Sequence, residues 1–149
     1  MSLSDIRKNL KKLQGMELLV GWDENNHYDD KTPVAAVARV HEYGAPAANI
    51  PARSFIRPTF DAKKDELDNL LAKGVKRVAD GKINPKEMLL AVGHVIKADI
   101  QQAISAVREP PLAESTIRHR DAKGRSHQPL HDTGLMIASC HPVVLEGEK

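Results

Sequence analysis

Residues 34–58 read VAAVARVHEYGAPAANIPARSFIRP and carry the strongest fold signal in this chain. The apolar residues of the first half recur at helical spacing, and Gly44 is the kind of residue that ends a helix. A connector rich in proline and alanine follows. The second half alternates arginine with apolar residues, which is typical of an extended segment. This stretch contains no catalytic pattern, and it predicts an element that docks on another protein.

Two prolines bracket the extended half of this stretch. Pro51 and Pro58 each bias the preceding residue toward extended backbone. In an extended segment Arg53, Phe55 and Arg57 point to the same side. Arginine and aromatic residues are the side chains that most often dominate the binding energy of protein interfaces.

We therefore predict that residues 45–58 form a docking arm. The predicted subunit-interface residues in this arm and in the turn before it are Glu42, Tyr43, Gly44, Arg53, Phe55 and Arg57. Phosphate binding by the two arginines is the alternative, because a guanidinium group fits phosphate as well as carboxylate. The neighbouring His41 is expected to be a packed or interfacial histidine, since adjacent helical residues do not face each other as an acid–base pair would require.

The composition is that of an ordinary globular protein. Hydrophobic residues make up 41% of the 149 residues and charged residues 28%, which fits a single domain over residues 1–149. Aromatic residues are only 3% and the net charge is +2, so neither base stacking nor charge indicates nucleic-acid binding. The single cysteine, Cys140, is compatible with a reducing cytoplasm. No apolar run approaches the ~20 residues of a membrane span, so no membrane contact is expected.

Hydrophobic periodicity predicts the elements around the central stretch. The predicted helices cover residues 4–14, 33–43, 58–80 and 85–108, with a helical turn within 112–120. The predicted strands cover residues 16–22 and 136–145, and residues 53–57 are a candidate third strand. Ser4 and Thr32 are the predicted N-caps of the first two helices. Pro142 interrupts the last strand, which indicates an edge position or a bulge.

These elements together predict an α+β fold. The connector between the two long helices is short, so they should form an antiparallel pair. We expect a small, mostly antiparallel sheet packed against this pair, with shorter helices beside it.

Basic residues gather in a second region, which we predict to be a loop over residues 118–127. The candidate residues for contact with a partner or with DNA are Arg118, Arg120, Lys123 and Arg125. With the basic N-terminal helix, this loop supports an alternative function as a nucleic-acid-binding protein. An exposed loop with a structural role is the simpler interpretation.

No set of residues predicts catalysis, a metal or a cofactor. The acidic loop at 23–31 lacks the glycine that a calcium loop needs at its sharp turn. The histidine spacings match no common zinc-ligand pair, so a metal-dependent hydrolase is the least favoured class. No nucleophile elbow or phosphate-binding glycine loop is present. We expect a protein that is not an enzyme.

Four segments in order resemble the tailed-phage neck and tail-completion proteins, also described as virion morphogenesis or minor tail proteins. The segments are VARVHEYG at 37–44, IPARSFIRP at 50–58, PLAESTI at 111–117 and PLHDTGLM at 129–136. The resemblance spans roughly residues 16–139. Ser54 departs from the pattern, which has a second proline there, and so does the short strand after Ser139.

The resemblance implies a structural virion protein that forms a ring at the head–tail junction and has no enzymatic activity. It implies a homo-oligomer, with six copies in the ring, because the tail has that symmetry in the family. The implied partners are other neck and tail proteins, namely the tail tube, the terminator and a head-side adaptor or portal, together with contact with packaged DNA. Assembly would take place in the cytoplasm of the host bacterium, and the mature location would be the virion.

Overall fold

The structure, a computed structural model, describes residues 1–147, so the last two residues of the predicted single domain lie outside the described part. The described residues form six α-helices and a two-stranded antiparallel sheet, with 54% of residues in helix and 11% in strand. Helices therefore supply most of the core. The predicted α+β fold class is confirmed.

The elements follow one another along the chain in this order: α1 (Leu3–Lys11), β1 (Met16–Gly21), α2 (Val34–Tyr43), a 3₁₀ turn (Pro46–Ala48), α3 (Arg57–Ala79), α4 (Pro85–Ala106), α5 (Glu114–Asp121), α6 (Leu135–Ser139) and β2 (His141–Glu146). The chain divides into two compact units. The first unit takes residues 1–20, 61–98 and the chain from 141 onward, and the second takes 21–60 and 99–140.

In the first unit the sheet packs against α4. The inward-facing residues of β1 alternate with exposed ones, as predicted. Gly93 of α4 makes this packing possible, because a Cβ at that position would lie 2.5 Å from Cβ of Pro142 and 2.9 Å from Cδ1 of Leu18. Each strand thus has a residue against the same helix.

The long helices pack as an antiparallel hairpin within this unit. Gly74 of α3 lies against the side chain of Met88 of α4. Both residues are seven positions from Gly81, which lies in the link between the two helices. Leu67 and Val78 of α3 are buried, whereas Val75, three residues before Val78, is 38% exposed. Because Val75 precedes Val78 by three residues, it lies about 60° around the helix axis from Val78. This difference is enough to turn the side chain of Val75 toward solvent.

No helix within residues 1–147 is long and apolar enough to cross a membrane.

The first helix begins one residue earlier than predicted, at Leu3, and ends three residues earlier, at Lys11. Ser2, not Ser4, is the N-cap: its hydroxyl accepts a hydrogen bond from the backbone N–H of Asp5, and the Asp5 carboxylate accepts one from the backbone N–H of Ser2. This reciprocal capping box satisfies two donors at once, which a cap at Ser4 would not do. The side chain of Asn9 donates to the carbonyl oxygen of Ala79 at 3.2 Å and ties α1 to the end of α3.

The second unit has a small aromatic core. The rings of Trp22 and Phe55 meet edge to face, with centroids 6.0 Å apart. Nε1 of Trp22 donates to the carbonyl oxygen of Met136 at 2.7 Å, which joins Trp22 to α6 within this unit. Cys140 is fully buried.

Three predicted elements differ from the structure. The strand predicted over 136–145 is wrong in its first half, which is the helix α6; only residues 141–146 form a strand. A five-residue helix is too short to show its period in sequence. Residues 53–57 form no strand, because α3 begins at Arg57. The N-cap of α2 is Pro33, which has no side-chain cap bond, instead of Thr32.

Candidate functional site

A buried carboxylate connects the end of α2 to the beginning of α3. Glu42 is 2% exposed, and its carboxylate accepts hydrogen bonds from the backbone N–H groups of Phe55, Ile56 and Arg57 at 2.8, 2.8 and 3.1 Å. The N–H groups that open a helix have no partner within the helix. Glu42 therefore caps α3 from another segment of the chain.

Side chains complete the bonds around this carboxylate. The hydroxyl of Ser54 donates to Oε1 of Glu42 at 2.6 Å, and Nε of Arg57 donates to the same oxygen at 2.9 Å. Burial acts to raise the pKa of Glu42, but the hydrogen bonds from Ser54, Ile56, Arg57 and Phe55 outweigh it and hold the pKa at about 2. A proline at position 54 could not make this bond.

The exposed part of the structure around Glu42 consists of the ring of Tyr43 and the guanidinium group of Arg57 above it. Arg57 lies over the ring of Tyr43, with Cζ 4.7 Å from the ring centroid, and its Nη2 donates to the carbonyl oxygen of Glu42 at 3.0 Å. Tyr43 is 61% exposed and the side chain of Arg57 57%. We call these two residues the Tyr43–Arg57 pair. Two nitrogens of the Arg57 guanidinium group are hydrogen-bonded to Glu42, so the Tyr43–Arg57 pair is held in one arrangement at the surface.

Gly44 is required at the turn that follows Tyr43. Its φ is +74°, and a Cβ there would lie 2.9 Å from the backbone nitrogen of Ala52. Only glycine fits both the conformation and the space.

Two other predicted interface residues are turned inward. Arg53 is 6% exposed, and its Nε and Nη2 donate to the carbonyl oxygens of Pro110 and Pro111, both at 2.7 Å. Phe55 is 1% exposed, in the aromatic core. The prediction that Arg53, Phe55 and Arg57 point the same way is therefore wrong, since only Arg57 faces solvent. A role for the six residues in a subunit interface stays a prediction.

The predicted basic loop is also different in form. Residues 114–121 form α5, and Arg120 at its end is only 8% exposed. Nη1 of Arg120 donates to the carbonyl oxygens of Ser126, Gln128 and His131 at 2.7, 2.9 and 3.2 Å. Arg120 thus organises the chain after α5 and does not reach toward a partner.

Most of the remaining basic side chains in this region have a carboxylate beside them. Arg118 pairs with Glu114 at 3.7 Å, Arg125 with Asp132 at 2.9 Å and His127 with Asp121 at 2.5 Å. Lys123 is exposed. The region is therefore much less positive than the sequence suggests.

A cleft of about 710 Å³ opens beside these residues. Tyr28, Asp132 and Leu135 line it together with Lys123 and Arg125. Burial, with the charge of Asp132 as the lesser cause, raises the pKa of Tyr28. Within residues 1–147, no group of three or more histidine, cysteine or acidic residues is placed to hold a metal ion.

Sequence reasoning missed a polar core behind the cleft. Nδ1 of His41 and Nε2 of His131 are buried without a hydrogen-bond partner. Burial, and then the charges of Arg53 and Arg120, lower the pKa of His41 to about 4. The available signal was the Pro110–Pro111 pair after α4, because backbone carbonyl groups outside helices and strands need other partners and can accept bonds from a buried arginine.

Comparison of this chain with protein-family models, with curated proteins and with solved structures finds no match.

Proposed function

We propose that this chain is a structural, non-enzymatic protein of a tailed bacteriophage, and that it forms a ring at the head–tail junction. The observation that carries the proposal is the Tyr43–Arg57 pair. It is exposed, it lies within two of the four segments that resemble the neck and tail-completion proteins, and the buried Glu42 holds it in place.

The chemistry of the pair suits a contact between proteins. Tyrosine and arginine are the residues most often found at the energetic centre of an interface. A side chain that is already held in its bound arrangement loses little conformational entropy when a partner binds. The two hydrogen bonds from Arg57 to Glu42 supply that preorganisation.

The four resemblance segments also belong to one part of the chain. All of them fall within the second compact unit. The segment at 50–58 is bonded to the third through Arg53 and Pro111, and Arg120 reaches the fourth at His131. Segments far apart in sequence therefore contribute to one bonded structure, which supports treating the four motifs as a single pattern.

In this proposal six copies close a ring by head-to-tail contacts, and the Tyr43–Arg57 pair contacts a neighbouring subunit or the next ring of the neck. The partners are the tail tube, the terminator and a head-side adaptor or portal. Assembly takes place in the host bacterial cytoplasm, and the mature protein is part of the virion.

The test compares Tyr43→Ala with Arg39→Ala. Both side chains are exposed on α2, so both variants should fold as the wild type does. Native mass spectrometry should show that Tyr43→Ala loses rings, or loses binding to purified tail tubes, by at least tenfold, while Arg39→Ala keeps both. A wild-type protein that forms no ring and binds no tail or capsid component would overturn the proposal.

Nucleic-acid binding remains the alternative, but the structure offers it less support. Three of the basic side chains within residues 118–127 have carboxylate partners and Arg120 is buried, so this region offers few charges to phosphates.

A further inference from the structure

The outer side of α1 carries both apolar and basic side chains. Leu3 is 86% exposed and Leu10 37%, and Arg7 and Lys11 border the same surface. We call these four residues the α1 face. An exposed leucine pair flanked by two cations is suited to a protein partner that brings apolar contacts and negative charge.

Asn9 lies on another side of α1 and holds this helix to its own unit through its bond to Ala79. The half-buried Ile6 and Leu13 line the same groove as the α1 face. Ala79 is at the C-terminal end of α3, whereas Asp61, near the other end, lies about 27 Å away along the helix by the helical rise. The bond that ties α1 to α3 within one chain is therefore far from Asp61.

A stripe of opposite charge runs along α3. Its members are exposed and follow the alternating spacing of four and three residues that keeps side chains on one side of a helix: Asp61, Asp65, Asp68, Ala72 and Val75. We call these five residues the α3 stripe. Lys64 pairs with Asp68 at 2.5 Å, which leaves Asp61 and Asp65 as the stripe's uncompensated charges.

We propose that the α1 face of one copy docks on the α3 stripe of a second copy. Arg7 and Lys11 are one helical turn apart, and so are Asp61 and Asp65, so two ion pairs can form in register, each spacing being about 6 Å. An antiparallel crossing places Arg7 beside Asp65 and Lys11 beside Asp61. The same crossing brings Leu3, one turn before Arg7, toward Asp68, one turn after Asp65.

The two surfaces are different, so the contact is head-to-tail. Contacts of that kind generate a closed ring when the rotation between copies closes, and a filament when it does not. The inference rests on the proposed ring and supplies it with a subunit interface.

The decisive experiment reverses the charges on each surface separately. One variant carries Arg7→Glu and Lys11→Glu, and the other Asp61→Lys and Asp65→Lys. Each variant alone presents like charges on its two surfaces, so sedimentation velocity should show self-association at least tenfold weaker than in the wild type. An equal mixture should associate again, because every contact then joins one variant to the other.

A matched control changes charge without touching either surface. Lys73→Glu with Arg77→Glu reverses two exposed charges one turn apart on another side of α3. This double variant should associate as the wild type does. Circular dichroism of all three double variants checks that their helices are intact.

Crosslinking provides a second measurement. Leu3→Cys in one preparation and Asp68→Cys in another place a thiol on each surface, and the natural Cys140 is buried. Mild oxidation of the mixture should give a disulfide-linked heterodimer in at least tenfold excess over a mixture of Leu3→Cys with Arg39→Cys.

The outcomes separate this inference from the proposed function. Charge-reversed variants that associate like the wild type, a mixture that fails to recover, a wild type that does not associate, or a cysteine pair that does not crosslink would each overturn the α1–α3 contact. Tyr43→Ala could still abolish tail binding in those cases. Association that obeys the charge rule but gives no ring and no binding to tail components would keep the contact and overturn the phage assignment.

Discussion

Glu42 is the residue on which the surface near α2 depends most. A carboxylate with 2% exposure is unfavourable unless its oxygens are fully bonded, and here backbone and side-chain donors bond both of them. The sequence revealed the neighbouring Tyr43 and Arg57 as interface candidates but not their common anchor. Nothing in residue spacing shows that a glutamate will bond to backbone 13 to 15 positions away.

Glu42→Gln tests this anchoring role. The folded pKa of about 2 lies below the ordinary 4.5, so the ionised carboxylate stabilises the fold fully above pH 4.5 and loses that effect as the pH falls toward 2. At pH 7 the substitution should lower the free energy of unfolding by about 3 kcal/mol, measured by urea denaturation. Glu114→Gln, at a side chain that is 91% exposed, should change it by less than about 0.5 kcal/mol. Equal effects of the two variants would contradict the role assigned to Glu42.

At the scale of elements, sequence periodicity was reliable where helices are long. The predicted helices over 58–80 and 85–108 are observed at Arg57–Ala79 and Pro85–Ala106. It failed where elements are short or lie next to loops, as in α6 and in the segment at 53–57, because tertiary contacts decide those conformations. The inward turn of Arg53 depends on carbonyl groups at Pro110 and Pro111, which are far away in sequence.

Two helical glycines offer a matched comparison at this scale. In Gly93→Ala the new methyl would meet the rigid ring of Pro142, so the free energy of unfolding should fall by about 1–3 kcal/mol despite the better helix propensity of alanine. In Gly74→Ala the obstacle is Cγ and Sδ of Met88, at 2.7 Å, in a flexible side chain. That variant should lie within about 1 kcal/mol of the wild type in thermal denaturation. If Gly93→Ala lowered the free energy of unfolding less than Gly74→Ala does, the packing of β2 on α4 would be contradicted.

The molecule as a whole should respond to acid in two pH ranges, since its buried titratable groups are of two kinds. His41 lies near the guanidinium groups of Arg53 and Arg120, and burial is the main cause of its lowered pKa. Burial, then Arg108 and Arg120, also lower the pKa of His131. The buried carboxylate of Glu42 titrates at lower pH.

The histidine range can be checked directly. Because the folded pKa of His41 is about 4 and the ordinary value is 6.5, the unfolded chain binds more protons between these values, and stability falls as the pH drops from 6.5 to 4. The slope contributed by His41 should approach ~1.4 kcal/mol per pH unit in urea denaturation. His41→Gln should reduce the slope, whereas substitution of the exposed His94 should leave it as in the wild type. An unchanged slope in His41→Gln would refute the assignment.

The buried position of Cys140 has a practical consequence for work on this protein. The chain has one natural thiol, and that thiol is shielded from solvent. A fluorophore or spin label attached through an added surface cysteine would therefore mark a single known position while the native sequence is otherwise kept. Rings built from such labelled copies would report the distance between equivalent points on adjacent copies.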